Sequence, residues 1–382
     1  MLEHIFNIKL NGLLMSTKKL FETIDLETQT LSNRLAMAPM TRNRAHNEAN
    51  APTELHAEYY SQRASAGLIL SEGSQISQQG MGYIDTAGIH NEEQVEGWKK
   101  VLDAVHDKGG VMYSQLWHVG RVSHAWFHDG EAPVSSTAQN AESQVFTPEG
   151  FQPTSTPRAL STEEVEVVVQ DFRKAARNAI EAGFDGVQIH GANGYLVEQF
   201  LHDTINDRDD RYGGPIENRA RFLFEVLDEV IDEVGTERSS LRLSPSNLMG
   251  SENDSESKAL YEYVIRKLND EYELAFLELV EPLADLGEHP QLAENVLDYY
   301  GEFYEGVLMT NGNYDREQAI EVVEEGKADL VSFARQFLAN PDLPERFAQD
   351  APLNEPDRDT FYGGDAEGYT DYPFLEEVEA AK

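Results

Sequence analysis

Three polar side chains within six residues are the first candidates for chemistry: His190, Asn193 and Tyr195. His190 is the last of residues 185–190, whose alternation of apolar and polar side chains predicts a strand, and the two glycines between it and Tyr195 allow a tight turn. An imidazole, a carboxamide and a phenol can together donate hydrogen bonds to one small oxygen-bearing group. The phenol can also deliver a proton. Taken alone, the triplet leaves open a second interpretation, a structural histidine at a strand end.

A second group of residues suits an anion. The glycine turn Thr310-Asn-Gly312-Asn313 and the residue Arg335 follow two consecutive predicted strands. Backbone N–H groups of a glycine turn, helix N-termini and a guanidinium together match a phosphate dianion. The alternative is an ordinary glycine turn and a surface arginine. No lysine lies at the C-terminal end of a predicted strand, which argues against Schiff-base chemistry, and no acidic or histidine cluster there has the spacing of metal ligands.

The composition excludes further classes of chemistry. Cysteine is absent from the 382 residues, so the chain has no disulfide, no thiolate zinc site, no cysteine nucleophile and no cysteine-ligated iron–sulfur cluster. No apolar run reaches the length of about 18 residues that spans a membrane, and the N-terminal residues lack a signal-peptide core. These features predict a soluble cytoplasmic protein.

The charge is unusual, with 69 acidic residues against 30 basic ones and a net charge of −39. The acidic residues alternate with regularly spaced apolar residues, so they lie on folded helices and not in a disordered tail. Self-repulsion on this scale is relieved when about 1 M salt shrinks the Debye length to about 3 Å. Acidic surface residues that only keep the protein soluble would explain part of this net charge, but not all of it. We therefore expect a halophile with a salt-rich cytoplasm, and neither nucleic acid nor anionic membrane as partners. The oligomeric state stays open.

The elements that position these residues alternate regularly between strand and helix. A capping box at Ser161 opens the third helix. The predicted strands are residues 34–40, 68–75, 111–117, 185–190, 241–244, 275–279, 306–309 and 329–333. The predicted helices are residues 53–64, 92–106, 165–182, 217–234, 258–269, 292–303 and 316–325, with an eighth beginning at 336.

Eight strand–helix units without a low-complexity linker predict a single (β/α)8 TIM barrel; a doubly wound sheet more often has five or six strands. About forty residues between strand three and the third helix have no helical period and form a long excursion. We expect residues 1–14 to be an extension without function and residues 15–382 to be the barrel with a C-terminal tail. Functional residues of this fold gather at the C-terminal ends of the strands. The predicted phosphate-binding residues there, the glycine turn at 310–313 and Arg335, indicate a bound phosphorylated cofactor.

Five motifs, in order along residues 19–373, resemble the old yellow enzyme family of FMN-dependent ene-reductases, especially its N-ethylmaleimide reductase branch. The motifs are Ala38-Pro-Met-Thr-Arg42, Gln115-Leu-Trp117, His190-Gly-Ala-Asn-Gly-Tyr195, Arg208-Asp-Asp-Arg-Tyr-Gly-Gly-Pro-Ile-Glu-Asn-Arg219 and Phe361-Tyr-Gly-Gly-Asp-Ala-Glu-Gly-Tyr-Thr-Asp-Tyr-Pro373. The resemblance implies an FMN at the barrel mouth, reduced by NADPH or NADH, that passes a hydride from its N5 to an activated alkene. The implied substrates are small electrophilic alkenes or nitro compounds: enones, maleimides, nitroalkenes and, in addition, nitrate esters.

The resemblance also implies roles for individual residues. His190 and Asn193 would bind the substrate's carbonyl or nitro oxygen, and Tyr195 would protonate its α-carbon, with Trp117 beside them. Thr41 would contact flavin O4, Gln115 the pyrimidine edge, and Arg242 the N1 and O2 region. The other implied cofactor contacts are Ala38, Pro39, Gly73, Gly312, Asn313, Ala334 and Arg335.

Three residues depart from the family pattern. Ala334 stands where the family often has Gly, Pro215 where a serine is common, and Gly73 where relatives often have Ala beside the flavin. None of them removes a catalytic group. Two alternatives remain at this point: a barrel lyase or isomerase with a phosphorylated substrate, and a non-catalytic flavin-binding protein.

Overall fold

Eight parallel strands close into a barrel in the computed structural model, which describes residues 18–248 and 253–380. Each strand pairs with the next along the chain, and the last pairs with the first. The strands are β1 (Leu35–Met37), β2 (Leu68–Gln75), β3 (Met112–Trp117), β4 (Gly186–Gly191), β5 (Ser239–Leu243), β6 (Phe276–Val280), β7 (Leu308–Asn311) and β8 (Leu330–Phe333). The predicted (β/α)8 barrel is confirmed.

A helix follows each strand. These helices are α1 (Glu54–Gln62), α2 (Glu92–His106), α3 (Thr162–Ala182), α4 (Arg221–Val234), α5 (Ser257–Glu271), α6 (Val296–Tyr300), α7 (Arg316–Glu324) and α8 (Arg335–Ala339). Short helices Leu196–Leu201 and Ile216–Arg219 lie between β4 and α4, and Leu343–Gln349 and Leu375–Ala380 follow α8. No helix among the described residues has the length and apolar character needed to cross a membrane.

Helix α3 shows why the helices cover the barrel. It begins at the predicted capping box, where Ser161 Oγ accepts from the Glu164 N–H, and it ends at Gly183, whose φ is 103°. Apolar residues recur three or four positions apart and are buried against the sheet. They are Val165, Val168, Phe172, Ala176 and Ala179.

The two ends of the barrel are covered differently. At the N-terminal ends of the strands, the hairpin Ile24–Asp25 with Thr30–Leu31 packs Leu26 and Leu31 into an apolar cluster. At the other end lies the predicted excursion after β3, which contains the hairpin Gln144–Thr147 with Gly150–Pro153. The hydroxyl of Ser135 donates to Gln199 Oε1 at 2.9 Å, which fixes the excursion to the helix after β4.

Several predicted boundaries are wrong by a few residues. Strand β1 is shorter than 34–40, because Pro39 has no N–H for a ladder. Strand β7 runs to Asn311 and not to 309, so Thr310 and Asn311 are buried strand residues. The helix predicted at 217–234 is interrupted at Ala220, and that at 292–303 begins only after Asn295, which caps it. The extension predicted at residues 1–14 lies outside the described residues.

Candidate active site

The structure brings the triplet together at the C-terminal end of β4. His190 is the penultimate residue of the strand, and the rings of His190 and Tyr195 lie 5.2 Å apart. Between them, Asn193 and Gly194 have φ values of 60° and 78°, two consecutive left-handed residues that turn the chain sharply. The asparagine side chain accepts a hydrogen bond from Asn247 Nδ2 through its Oδ1 at 2.8 Å. Because its oxygen already accepts this bond, the amide group can act on another molecule through its N–H donors.

His190 is a neutral imidazole. Its side chain is buried, and burial together with the nearby Arg242 guanidinium lowers the pKa of His190 well below its usual value. Its Nδ1 is buried and has no hydrogen-bond partner within the described part of the chain. A neutral ring can donate one hydrogen bond without bringing a charge into the site.

Tyr195 keeps its proton. Burial, with a smaller effect from the Tyr83 phenol, raises the pKa of Tyr195 well above its usual value. The two phenol oxygens lie 3.2 Å apart. Trp117 meets the Tyr195 ring edge-on at 5.0 Å and stacks on Tyr83 at 5.4 Å, so three aromatic rings form one wall of the site. The sequence prediction named Trp117 and missed Tyr83, although Tyr83 lies in the loop after β2, where functional residues of a barrel are expected.

A chain of buried polar side chains crosses the barrel next to the triplet. Gln115 Nε2 donates to Gln188 Oε1 at 2.9 Å, and Gln188 Nε2 donates to Glu278 Oε2 at 2.8 Å. Ser332 completes it by donating to Glu278 Oε1 at 2.7 Å. Gln188 was not predicted as functional, but it lies two residues before His190 and therefore on the same face of β4. The network fixes the amide of Gln115, a predicted cofactor ligand.

Arg242 on β5 provides a cation at the same place. Its Nη2 donates to Asn311 Oδ1 at 2.9 Å, and its Nε lies 3.6 Å from Glu278 Oε2, too far for a good hydrogen bond. That buried Nε has no hydrogen-bond partner in the described residues. A buried guanidinium with an unused hydrogen is expected to bind an electron-rich group of a ligand.

The loop after β1 lies beside β8. The Ala38 N–H donates to the Phe333 carbonyl at 3.0 Å, and Pro39 and Thr41 follow, with Thr41 half-buried. Gly73 on β2, a predicted cofactor contact, also packs against Trp117. A Cβ at this position would lie 2.7 Å from the ring of Trp117, so the tryptophan requires the glycine here.

The residues predicted to hold a phosphate lie in two adjacent loops. Gln336 Nε2 donates to the Tyr314 carbonyl at 3.1 Å and joins the loop after β7 to α8. Gly312 is half-buried, and Asn313 is exposed. Ala334 caps α8, and Arg335 is its exposed first residue.

The donors at this end of the barrel fit FMN. Three of them are buried without a partner among the described residues: the Nε of Arg242, the Nδ1 of His190 and the Nε1 of Trp117. A flavin ring offers several acceptors in one plane, and the two loops beyond β7 and β8 can take its phosphate. No group of three or more acidic or histidine residues suited to a metal occurs in residues 18–248 and 253–380.

Comparisons with known proteins agree with this fit. Residues 19–354 match the profile of the NADH:flavin oxidoreductase / NADH oxidase family. The chain is 48% identical over 353 residues to "12-oxophytodienoate reductase 1" of Oryza sativa subsp. japonica, covering 91% of each protein. It is similar to the solved structure of morphinone reductase, with a TM-score of 0.89 and 45% identity over 95% of this chain and 98% of the other. It is also similar to that of the old yellow enzyme homologue from Zymomonas mobilis, with a TM-score of 0.89 and 41% identity over 94% of this chain and 100% of the other.

These similarities confirm the resemblance to the old yellow enzyme family and favour an oxidoreductase over a lyase or isomerase. They cover nearly the whole barrel at well above 30% identity. The chain therefore belongs to the NADH:flavin oxidoreductase / NADH oxidase family and is an FMN-dependent oxidoreductase.

Proposed function

We propose that this protein is an ene-reductase that uses NADPH or NADH to saturate activated C=C bonds of enones, maleimides and nitroalkenes, with nitrate esters as a further substrate class. The observation that carries the proposal is the convergence of two neutral donors and one protonated phenol, those of His190, Asn193 and Tyr195, at the mouth of a flavin-binding barrel. The relatives are named as reductases of 12-oxophytodienoate and of morphinone, which supports the same reaction class.

FMN would supply the hydride chemistry, from the nicotinamide to the β-carbon of the alkene. Gln115 and Arg242 would bind the edge of its ring, and Thr41, Ala38, Pro39 and Gly73 would line it. Gly312, Asn313, Ala334 and Arg335 would hold its phosphate. The Gln188–Glu278 network keeps the Gln115 amide in one orientation, because Gln115 donates to Gln188 and Gln188 in turn donates to Glu278.

The triplet acts on the substrate. His190 and Asn193 donate hydrogen bonds to the carbonyl or nitro oxygen, and these bonds strengthen as negative charge develops on that oxygen. Tyr195 then gives its proton to the α-carbon, so hydride and proton together complete the saturated product. The Tyr83 phenol, 3.2 Å away, can donate to the oxygen that has lost its proton.

The net charge leads to a proposal about the salt content of the cell and about the partners of the protein. A net charge of −39 suits a salt-rich cytoplasm and disfavours nucleic acid and anionic membranes as partners.

The test is alkene-dependent oxidation of the nicotinamide by purified protein reconstituted with FMN, under anaerobic conditions. We expect cyclohexenone, N-ethylmaleimide or a nitroalkene to be consumed and the saturated product to form in equal amount. An FMN-loaded protein that oxidises the nicotinamide with oxygen but reduces none of these alkenes would contradict the proposal.

A further inference from the structure

A buried carboxylate contacts the turn that carries the triplet. Glu198 lies in the short helix Leu196–Leu201, directly after Tyr195, and is 2% exposed. Glutamate is rarely buried to this degree without a cationic partner. No lysine or arginine forms an ion pair with Glu198 in the described part of the chain; its partners are neutral hydrogen-bond donors. Burying a carboxylate without a cation costs free energy, and apolar packing alone does not account for its presence here.

One of these donors is a backbone N–H of the left-handed turn, and a second, the Ser244 hydroxyl, links the turn to the carboxylate. The Gly194 N–H donates to Glu198 Oε2 at 2.5 Å. The Asn193 N–H donates to Ser244 Oγ at 2.8 Å, and that hydroxyl donates to Glu198 Oε1 at 2.6 Å. The carboxylate of Glu198 therefore fixes two consecutive backbone N–H groups. It accepts directly from Gly194, and it is linked to Asn193 through Ser244. An asparagine with φ of 60° is unfavourable in isolation and needs such external support.

The third donor is Tyr261, whose hydroxyl donates to Glu198 Oε1 at 3.1 Å. Since this hydroxyl donates, it accepts from His202 Nε2 at 3.0 Å. All three partners thus point hydrogens at the carboxylate, which has only acceptors. An amide, or a protonated carboxyl, would place a hydrogen where a donor already lies.

We propose that Glu198 is a positioning residue, whose ionised carboxylate fixes the turn so that Asn193 and Tyr195 meet the same substrate. The identity of the substrate that Asn193 and Tyr195 meet rests on the proposed function. The role of Glu198 in fixing the turn rests only on the hydrogen bonds to its carboxylate.

The first test compares Glu198→Gln with Tyr261→Phe in the FMN-loaded protein. The glutamine is isosteric but replaces an acceptor by a donor. The phenylalanine removes one bond to the same carboxylate and leaves the bonds from Gly194 and Ser244 in place. The probe is 4-methoxyphenol, titrated at about pH 9 and followed by flavin absorbance. We expect Glu198→Gln to weaken its binding about tenfold or more and Tyr261→Phe to weaken it much less.

Both variants should retain FMN and unfold cooperatively, so that a folding failure is recognised. If Glu198→Gln folds and binds the phenol like the unchanged protein, or if Tyr261→Phe loses as much affinity, the proposal is overturned. Should Glu198→Gln fail to fold, the pH dependence of the unchanged protein decides.

Burial raises the pKa of Glu198 to about 7, although its three hydrogen bonds act in the opposite direction. As the pH falls through about 7 the carboxyl gains a proton, loses an accepted bond and loosens the turn. Phenol affinity should therefore fall more steeply with pH below about 7 than above it in the unchanged protein, and Glu198→Gln should lack this change of slope. A phenol that loses its proton on binding gives one constant slope across this range, because its free pKa is near 10. The absence of a break near pH 7 in the unchanged protein contradicts the proposal.

The other titratable groups near the Glu198 carboxylate do not titrate near pH 7, so they do not cause the expected change in phenol affinity. Burial lowers the pKa of His202 to about 3, and burial raises the pKa of Tyr261 well above its usual value. The Arg219–Asp254 pair, 2.9 Å apart, lies beyond Tyr261. Because phenol binding is measured without turnover, it separates the two proposals. Absence of alkene reduction would refute the proposed function, while the difference between the variants would still support Glu198 as a positioning residue.

Discussion

Replacing Tyr195 by Phe should separate the two halves of the catalytic cycle. The variant loses one hydroxyl, whose described contact is the hydrogen bond to Tyr83 at 3.2 Å, while its ring can keep the edge-on contact with Trp117. Loss of one such bond costs about 1 kcal/mol, so the fold should persist. The neutral His190 is a poor proton donor, and the Tyr83 phenol is placed to donate to the Tyr195 oxygen, so we assign the proton that completes alkene reduction to Tyr195. We therefore expect enone reduction to slow by about 10²- to 10⁴-fold.

The assay follows the two halves separately by anaerobic stopped-flow absorbance. Flavin bleaching by NADPH requires no proton from Tyr195 and should keep nearly its original rate, whereas reoxidation by cyclohexenone should slow. A nitroalkene should be affected less, because its product anion is stable enough to take a proton later from water. The matched control is Tyr83→Phe, which removes the same hydrogen bond but leaves the Tyr195 hydroxyl in place.

Two results would refute this reasoning. If Tyr195→Phe slows flavin bleaching as much as enone reduction, the tyrosine is structural. If Tyr83→Phe slows enone reduction equally, the hydrogen bond between the phenols matters and not the proton of Tyr195.

Three further predictions concern cofactor binding and stability. Arg335→Ala should weaken FMN binding about tenfold or more, because a guanidinium–phosphate hydrogen bond contributes about 1.5–3 kcal/mol; Arg266→Ala on α5 is the control, and equal affinities would place the phosphate elsewhere. Gly73→Ala should lower the free energy of unfolding in urea by about 1–3 kcal/mol, since its Cβ would lie 2.7 Å from Trp117; unchanged stability and tryptophan fluorescence would contradict it. The thermal unfolding midpoint should rise between about 0.1 and 2 M KCl, and a constant or falling midpoint would rule out the halophilic interpretation.

The fold was predictable because its signals are local. Each strand and helix of the barrel has its own periodicity, and the capping box at Ser161 needs only four consecutive residues. The triplet was predictable for the same reason, since His190, Asn193 and Tyr195 are neighbours in the chain. The boundaries were less predictable: strand β7 ends two residues beyond the prediction because pairing with β6 and β8, and not local hydrophobicity, fixes its last residues.

The contacts around the triplet could not be predicted, because they join distant parts of the chain. Tyr83 meets Tyr195 across 112 residues of sequence, and Gln188 meets Glu278 across 90. Nothing in the sequence around Glu198 shows that its carboxylate turns back to Gly194, since a glutamate in a short helix more often faces water. Only the closed barrel brings these groups together.

Arginines in the interior explain part of the acidic surface. Arg42 donates to the carbonyls of Phe361 and Gly368, both at 2.8 Å, and Arg44 donates to that of Asp365 at 3.0 Å. These bonds hold the C-terminal tail against the loop that follows β1. Among the described residues, seven arginines are buried but only five carboxylates. Three of these arginines pair with buried carboxylates, Arg219 with Asp254, Arg242 with Glu278 and Arg346 with Asp342, whereas Arg42 and Arg44 are bonded to neutral carbonyls and do not offset acidic residues outside. The surface is therefore left with more negative charge than the composition alone indicates, and dissolved cations must screen it.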